Sequence, residues 1–400
     1  MRVLIAGAAG RLGRAVARRV CGLSSVSHLV VSDLDADAAR AVVDDLDSPA
    51  SARALDVLDH PAMQSALAEV DLVINATGPY FRFGLAVLNE AIEAGVHYLD
   101  ACDDPEPTLG LLVRNKQARD AGTLALIGMG VSPGLTNLLA VVAHAQLDSV
   151  EQLHTASNLA GARGRVLFGP EASLSARQEH WITQLSGEVS AYRHGRRELL
   201  EPLEAIELTY PGQGRHTLFR CGHPEAVTLG RHFPALADAS NLMALAPRDY
   251  HGLKKLIARV DAGNLDAAQA ARLLAGQPLP GPGTGAALKL LFRRDGQHHA
   301  LPDWFAVALG KRKGRAATAA VSLHALPAGD TADMAAASLA VALDMVAAGE
   351  VAGSGVHVPE SALSPEAFFG RYLAYCEVPA AVERVEQLLD IRTDDGIQGI

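Results

Sequence analysis

The chain has 400 residues, enough for two or three domains with a full core, and its 49% hydrophobic and 20% charged residues suit a globular protein. Its 45 acids against 35 bases leave a formal charge of −10, which argues against nucleic acid or an anionic membrane surface as the main partner. Aromatics, at 4%, are too sparse for a base-stacking platform.

Cys21, Cys102, Cys221 and Cys376 are too far apart for a CxxC motif and too few for a disulfide scaffold, so a reducing, cytoplasmic setting is expected. The apolar run at the N-terminus is shorter than the core of a signal peptide, and no later run is long enough to span a membrane.

The apolar run Val3–Ala6 breaks into Gly7-Ala-Ala-Gly10-Arg-Leu-Gly13, then into a helical pattern with Leu12, Val16 and Val20 on one face. A second run, His28–Ser32, ends at Asp33. Helices at Asp35–Asp45, Pro61–Glu69, Gly84–Ala94 and Pro107–Ala121 then alternate with strands at Arg53–Val57, Leu72–Ala76, Val96–Asp100 and Thr123–Ile127. Six strands with five helices between them predict an α/β fold, a Rossmann doubly wound parallel sheet of order 3-2-1-4-5-6.

In such a sheet Gly7 makes the tight turn, Gly10 lets a pyrophosphate approach the backbone, and Gly13 packs helix on strand. Ala9, Arg11 and Leu12 complete the candidate phosphate turn. Asp33 lies twenty residues beyond Gly13, at the distance of the acid that accepts the ribose hydroxyls, although it could instead cap the next helix, as Asp35 could. A carboxylate there repels a 2′-phosphate, so NAD is expected rather than NADP. Asn75, Thr77, Gly78 and Pro79 follow the fourth strand and are candidates for the nicotinamide side of the cofactor.

Three stretches, GAAGRLG, Val73–Asp104 and Ile127–Ala140, together with the tail Ala347–Phe369, resemble the saccharopine dehydrogenase (saccharopine reductase) family and its lysine 6-dehydrogenase-like branch. The resemblance implies a nucleotide domain over 1–130, an inserted α+β substrate-binding and dimerisation domain over 131–330, and a tail, 331–400, that returns to the first domain. It also implies a homodimer and pyridine-nucleotide chemistry at the C–N bond of a small amine or amino acid. Two departures matter: Asp33 stands where the NADP-using members lack an acid, and Ser132 precedes Pro133 where they typically carry one. The first favours NAD, and both argue against saccharopine itself as substrate.

Beyond Gly134 an apolar helix, Leu135–Gln146, precedes strand-like runs at Gln152–Asn158, Ala205–Tyr210 and His216–Arg220 and a hairpin from Trp304–Ala308 to Thr318–Ala325. They suggest a mainly antiparallel sheet whose open face would serve a dimer. The stretch Gly276–Gly285 reads as a loop, Asp333–Ala348 and Ala380–Leu389 as helices, and the YxxxK pair Tyr250 and Lys254 as part of a surface turn.

Oxidation at a C–N bond needs a group that takes the ammonium proton. The candidates are Asp100, at the end of the fifth strand, and His223 with Glu225; each also reads as an ordinary loop or turn residue. Arg220 or Arg231 could hold a carboxylate. No histidine spacing matches a metal motif. Two other functions fit: a synthase that recycles bound NAD, as in the homospermidine synthases of similar fold, and a regulatory NAD-binding protein that has lost catalysis.

Overall fold

The computed structural model describes residues 1–161, 176–275, 277, 279, 300–351, 353–377 and 384–395. The first six strands are β1 (Arg2–Ala6), β2 (His28–Asp33), β3 (Ala50–Ala54), β4 (Leu72–Asn75), β5 (His97–Asp100) and β6 (Leu124–Leu126). They form a parallel sheet in the order β3-β2-β1-β4-β5-β6, as the alternation predicts. Helices cover the inner strands on both sides, so Val3–Ala6 and Leu72–Asn75 are wholly buried.

Three elements differ from expectation, the first being the helix expected over Gly84–Ala94, which starts at Tyr80. Strand β3 lies three residues earlier than its apolar residues suggest, because this edge strand pairs only with β2 while Leu55 and Val57 beyond it fill the core. The helix expected over Pro107–Ala121 is two helices, Pro105–Val113 and Asn115–Asp120, parted at Arg114.

A second sheet is built from β7 (Ser149–Asn158), β8 (Val189–Arg193), β9 (Arg196–Leu200), β10 (Ala205–Tyr210), β11 (Gly214–Cys221), β12 (Asp238–Ala244), β13 (Trp304–Arg312) and β14 (Arg315–Leu323). Apart from the parallel pair β12 and β7, its neighbours are antiparallel. One face packs on the helices Ala176–Thr183, Pro247–Asp261 and Ala267–Leu274 through residues such as Met243, Leu253, Leu256 and Leu273. The other face was expected to lie open for a dimer. Instead Leu208, Leu218, Leu242, Phe305 and Val307 are buried there in an apolar cluster of the chain itself.

The helix Thr331–Ala347 then packs on the helix Arg11–Val20, and β15 (Gly355–His357) extends the first sheet beside β6. The last strand, β16 (Leu389–Asp395), pairs with β14 in the second sheet. Its Arg392 guanidinium lies 5.8 Å from the ring of Tyr210 on β10, so the second sheet curls until its outer strands approach each other. The compact units are therefore Met1–Leu138 with His324–Leu388, and Leu139–Leu323 with Leu389–Ile400. Of the tail, β15 pairs in the first sheet, whereas the backbone of Leu389–Asp395 pairs in the second. The Gly276–Gly285 loop, His298-His299 and most of the expected Ala380–Leu389 helix lie outside the described residues; Val385–Leu388 is a short helix. Among the described residues no helix is long and apolar enough to cross a membrane.

Candidate functional site

In the first unit the turn after β1 is shaped by glycine at two positions. Gly7 has φ +76°, and a β-carbon on it would stand 2.8 Å from Cγ2 of Thr77. A β-carbon on Gly13 would strike the carbonyl oxygen of Gly7 and stand 2.6 Å from Cα of Ala8. Gly10 is different: its φ is −67°, and a β-carbon would meet only the Gly7 carbonyl oxygen, at 3.3 Å. The space over Gly10 thus lies open to a ligand rather than filled by the chain.

Gly10 starts the helix Arg11–Val20 without a side-chain cap, and no acid lies in its first turn. Pro79 likewise starts the helix Tyr80–Ala94 with neither cap nor acid. Two helix N-termini with uncapped N–H groups therefore follow the neighbouring strands β1 and β4, an arrangement that suits a pyrophosphate.

Asp33 ends β2, and its carboxylate accepts from the N–H of Ala9 at 3.0 Å and from that of Asp35 at 3.3 Å. Asp35, not Asp33, caps the next helix, accepting from Asp37 and Ala38. That leaves Asp33 against the turn that follows β1. Leu34 and Leu58, beyond β2 and β3, are exposed and offer apolar surface to a flat ring. The sequence reading missed both, and the signal was an apolar residue just past a strand end.

The nearby cations are engaged. Arg11 is ion-paired with Asp330, and Nε of Arg14 donates to the carbonyl of Ala9 at 2.8 Å. Asp330 caps the helix Thr331–Ala347 with its other oxygen, and the sequence reading had not singled it out.

Asn75 is fully buried at the end of β4. Its Oδ1 accepts from the backbone N–H of Thr77 at 3.0 Å and from the Thr77 hydroxyl. Its Nδ2 donates to the Tyr98 hydroxyl at 3.1 Å, which in turn donates to Oδ2 of Asp100 at 2.8 Å. Oδ1 of Asp100 accepts from the N–H groups of Gly128 at 2.7 Å and Cys102 at 3.0 Å. Asp100 departs from the expectation of an open amine acceptor: it is completely buried, and an ammonium would have to displace one of these donors. Burial pushes its carboxyl up to about 6 against the opposing pull of the hydrogen bonds. Burial also pushes the Cys102 thiol well up, as befits a packed rather than reactive cysteine.

His223 and Glu225 belong to the second unit. They occupy a tight link from β11 to the helix Glu225–His232, not a turn between strands. The link is tight because Gly222 approaches Gln184, where a β-carbon would stand 2.9 Å from a carbonyl oxygen. Glu225 is fully buried in the first turn of its helix, where the helix dipole favours a negative charge. Its Oε1 accepts from Nδ2 of Asn241 at 2.9 Å, while its Oε2 lies 3.6 Å from Nδ1 of His223. This arrangement can orient an imidazole.

Arg220 does not offer its fork to a substrate, because Glu204 holds Nη2 at 3.2 Å and Ser240 accepts from Nη1. Tyr250 and Lys254 sit on the helix Pro247–Asp261 rather than in a turn, with the Lys254 ammonium 3.3 Å from the Tyr250 hydroxyl. They line a surface hollow of the second unit with Arg193 and Glu201.

Residues 3–126 match the family model of the saccharopine dehydrogenase NADP binding domain. This segment is similar to the nucleotide-binding domain of the saccharopine dehydrogenase family. Over the whole chain the fold resembles that of apo saccharopine dehydrogenase (L-Glu forming) from Saccharomyces cerevisiae, with a TM-score of 0.62 at 16% identity, over 98% of this chain and 99% of that one. A carboxyaminopropylagmatine dehydrogenase from Synechocystis sp. is 26% identical over 197 residues, which are 46% of this chain and 47% of the relative. The match thus spans about half of that relative's length.

Proposed function

We propose that this protein is an NAD-dependent oxidoreductase acting at a C–N bond of a small amine, amino acid or polyamine-like compound. The observation that carries the reading is the turn at Gly7 and Gly10 beside Asp33, with open space over Gly10. Two helix N-termini suit the pyrophosphate, and Leu34 and Leu58 suit the adenine. NAD is favoured over NADP because a carboxylate stands at the ribose position while Arg11 and Arg14 are held by acceptors of the chain. The name of the matching domain speaks for a nicotinamide dinucleotide, and Asp33 speaks for the form without the extra phosphate.

When bound, the nicotinamide ring supplies a hydride acceptor. The chain's own part is to bind that cofactor through the first unit and to handle a proton. For the second task we assign His223, supported by the buried Glu225, which Asn241 holds. The amine substrate agrees with the acid excess of the chain and with the names of the two relatives.

The test is a screen of amino acids, diamines and guanidino amines with NAD at alkaline pH, and of 2-oxo acids plus amines with NADH. A change in NADH absorbance with a member of these classes is expected. Tight binding of NAD without turnover of any of them would favour a regulatory protein. Co-purified NAD that is never released as NADH would favour the recycling synthase.

A further inference from the structure

The buried chain that ends at Asp100 has a single direction. The backbone N–H of Thr77 can only donate, so the Asn75 atom it meets must be the amide oxygen and the atom facing Tyr98 must be the NH₂ group. The Tyr98 oxygen already accepts from Asn75, so its own hydrogen goes to Asp100. With the N–H groups of Gly128 and Cys102 also aimed at Asp100, every hydrogen in the network points toward this one carboxylate. Asn75 and Asp100 are register partners on β4 and β5, so the network joins two neighbouring strand ends. At one end is the loop Thr77–Pro79, and at the other the turn at Gly128.

We propose that Asp100 is a positioning residue whose ionised carboxylate, acting through Tyr98 and Asn75, holds the Thr77–Pro79 loop in the conformation that binds the dinucleotide, so that cofactor affinity depends on the charge of Asp100. This rests on the proposed dinucleotide site. A proton on Oδ2 would remove the charge that strengthens the Tyr98 hydrogen bond, and a proton turned toward Tyr98 would face its hydroxyl donor to donor. A proton on Oδ1 would oppose two backbone N–H groups. Either change loosens the Tyr98 and Asn75 contacts that hold the amide facing Thr77.

Among the described residues, the groups that act most strongly on the Asp100 carboxyl are its hydrogen-bond donors and Asp103, none of them a cation. Tyr80, Tyr98 and Cys102 are held neutral by burial, and Asp103 adds a like charge. On the helix Thr331–Ala347, which packs on β5, Asp333 accepts from the Asp330 N–H and Asp344 from Arg371. The rise of the Asp100 carboxyl to about 6 puts the change within reach of mild acid.

The experiment measures NADH dissociation constants by fluorescence from pH 5 to 8, with thermal unfolding as a check on folding. Wild type is expected to weaken about tenfold from pH 7.5 to 5, the factor of one pKa unit. Asp100→Asn, which carries no charge and turns an NH₂ group or an oxygen the wrong way, is expected to bind weakly at every pH with no such step. Tyr98→Phe cuts the chain without removing the acid and is expected to weaken binding at pH 7.5 and flatten the step; it serves if the first variant does not fold. Folded variants that match wild type in affinity and pH step overturn the relay. A wild-type protein that binds neither NADH nor NADPH overturns the dinucleotide site itself.

Discussion

Gly7 and Thr77 meet so closely that the β1 turn and the β4 loop have room for a hydrogen but not for a methyl group. Gly7→Ala would place a side chain at φ +76° and 2.8 Å from the Thr77 methyl. We expect a loss of about 1–3 kcal/mol in stability from the strain and the contact together. Cofactor affinity should fall at least tenfold, because the loop must move. Urea unfolding and NADH titration check both, and a variant equal to wild type would contradict the geometry.

Asp33→Asn keeps an acceptor for the Ala9 N–H but removes the charge. The ratio of NADPH to NADH affinity should rise by about tenfold, one charge interaction of roughly 1.4 kcal/mol. Isothermal titration with both cofactors measures the ratio. An unchanged ratio would mean that Asp33 does not select the cofactor.

Asp330 caps a helix with one oxygen and pairs with Arg11 through the other. Asp330→Ala loses both and should cost about 1–2 kcal/mol, the usual worth of a cap. Asp330→Asn keeps the cap, should cost less than the alanine variant, and releases Arg11 toward phosphate. We expect tighter NADPH binding in the asparagine variant, and equal stability losses in the two variants would refute the cap.

Asp100 also gives stability a pH dependence. Its folded value, about 6, lies above the ordinary 3.8, so the folded state binds this proton more tightly than the unfolded state does. The group therefore destabilises the fold when ionised, and this penalty shrinks as pH falls through 6. Wild type compared with Asp100→Asn should gain about 1.4 kcal/mol from pH 7.5 to 5. Denaturant unfolding of both proteins at the two pH values reads this difference directly, and a difference of zero or opposite sign would show that the carboxyl is not raised.

Glu225→Gln should lower turnover at least about 100-fold, the usual worth of proton transfer catalysis, and leave NADH affinity within twofold. His223→Ala should do the same. If affinity and turnover fell together, the pair would be supporting the fold rather than the chemistry.

The first sheet could be read in the sequence because buried parallel strands are plain apolar runs and short loops allow few other orders. β12 was missed because Ser240 and Asn241 look like surface residues although both are buried, their polar atoms satisfied by Arg220 and Thr155. β15 is only three residues long, below any periodic signal. In the site, glycines and Asp33 were legible because backbone geometry demands them. The partners were not: Asp330 reaches Arg11 from more than 300 residues away, and Gly128 reaches Asp100 from another strand end. A carboxylate at a strand end looks the same in sequence whether it faces solvent or three donors.

The discontinuity of the two units constrains how the chain can be made. When the first 138 residues have left the ribosome, the outer edge of β6 is still bare, since β15 has not been synthesised, and Arg11 still lacks Asp330. The second unit in turn waits for β16 to cover β14. Both units hold unfinished sheet edges until β15 and β16 have been made, so pauses before those strands, or fragments ending before residue 324, should be the points at which this protein is most prone to edge-to-edge aggregation.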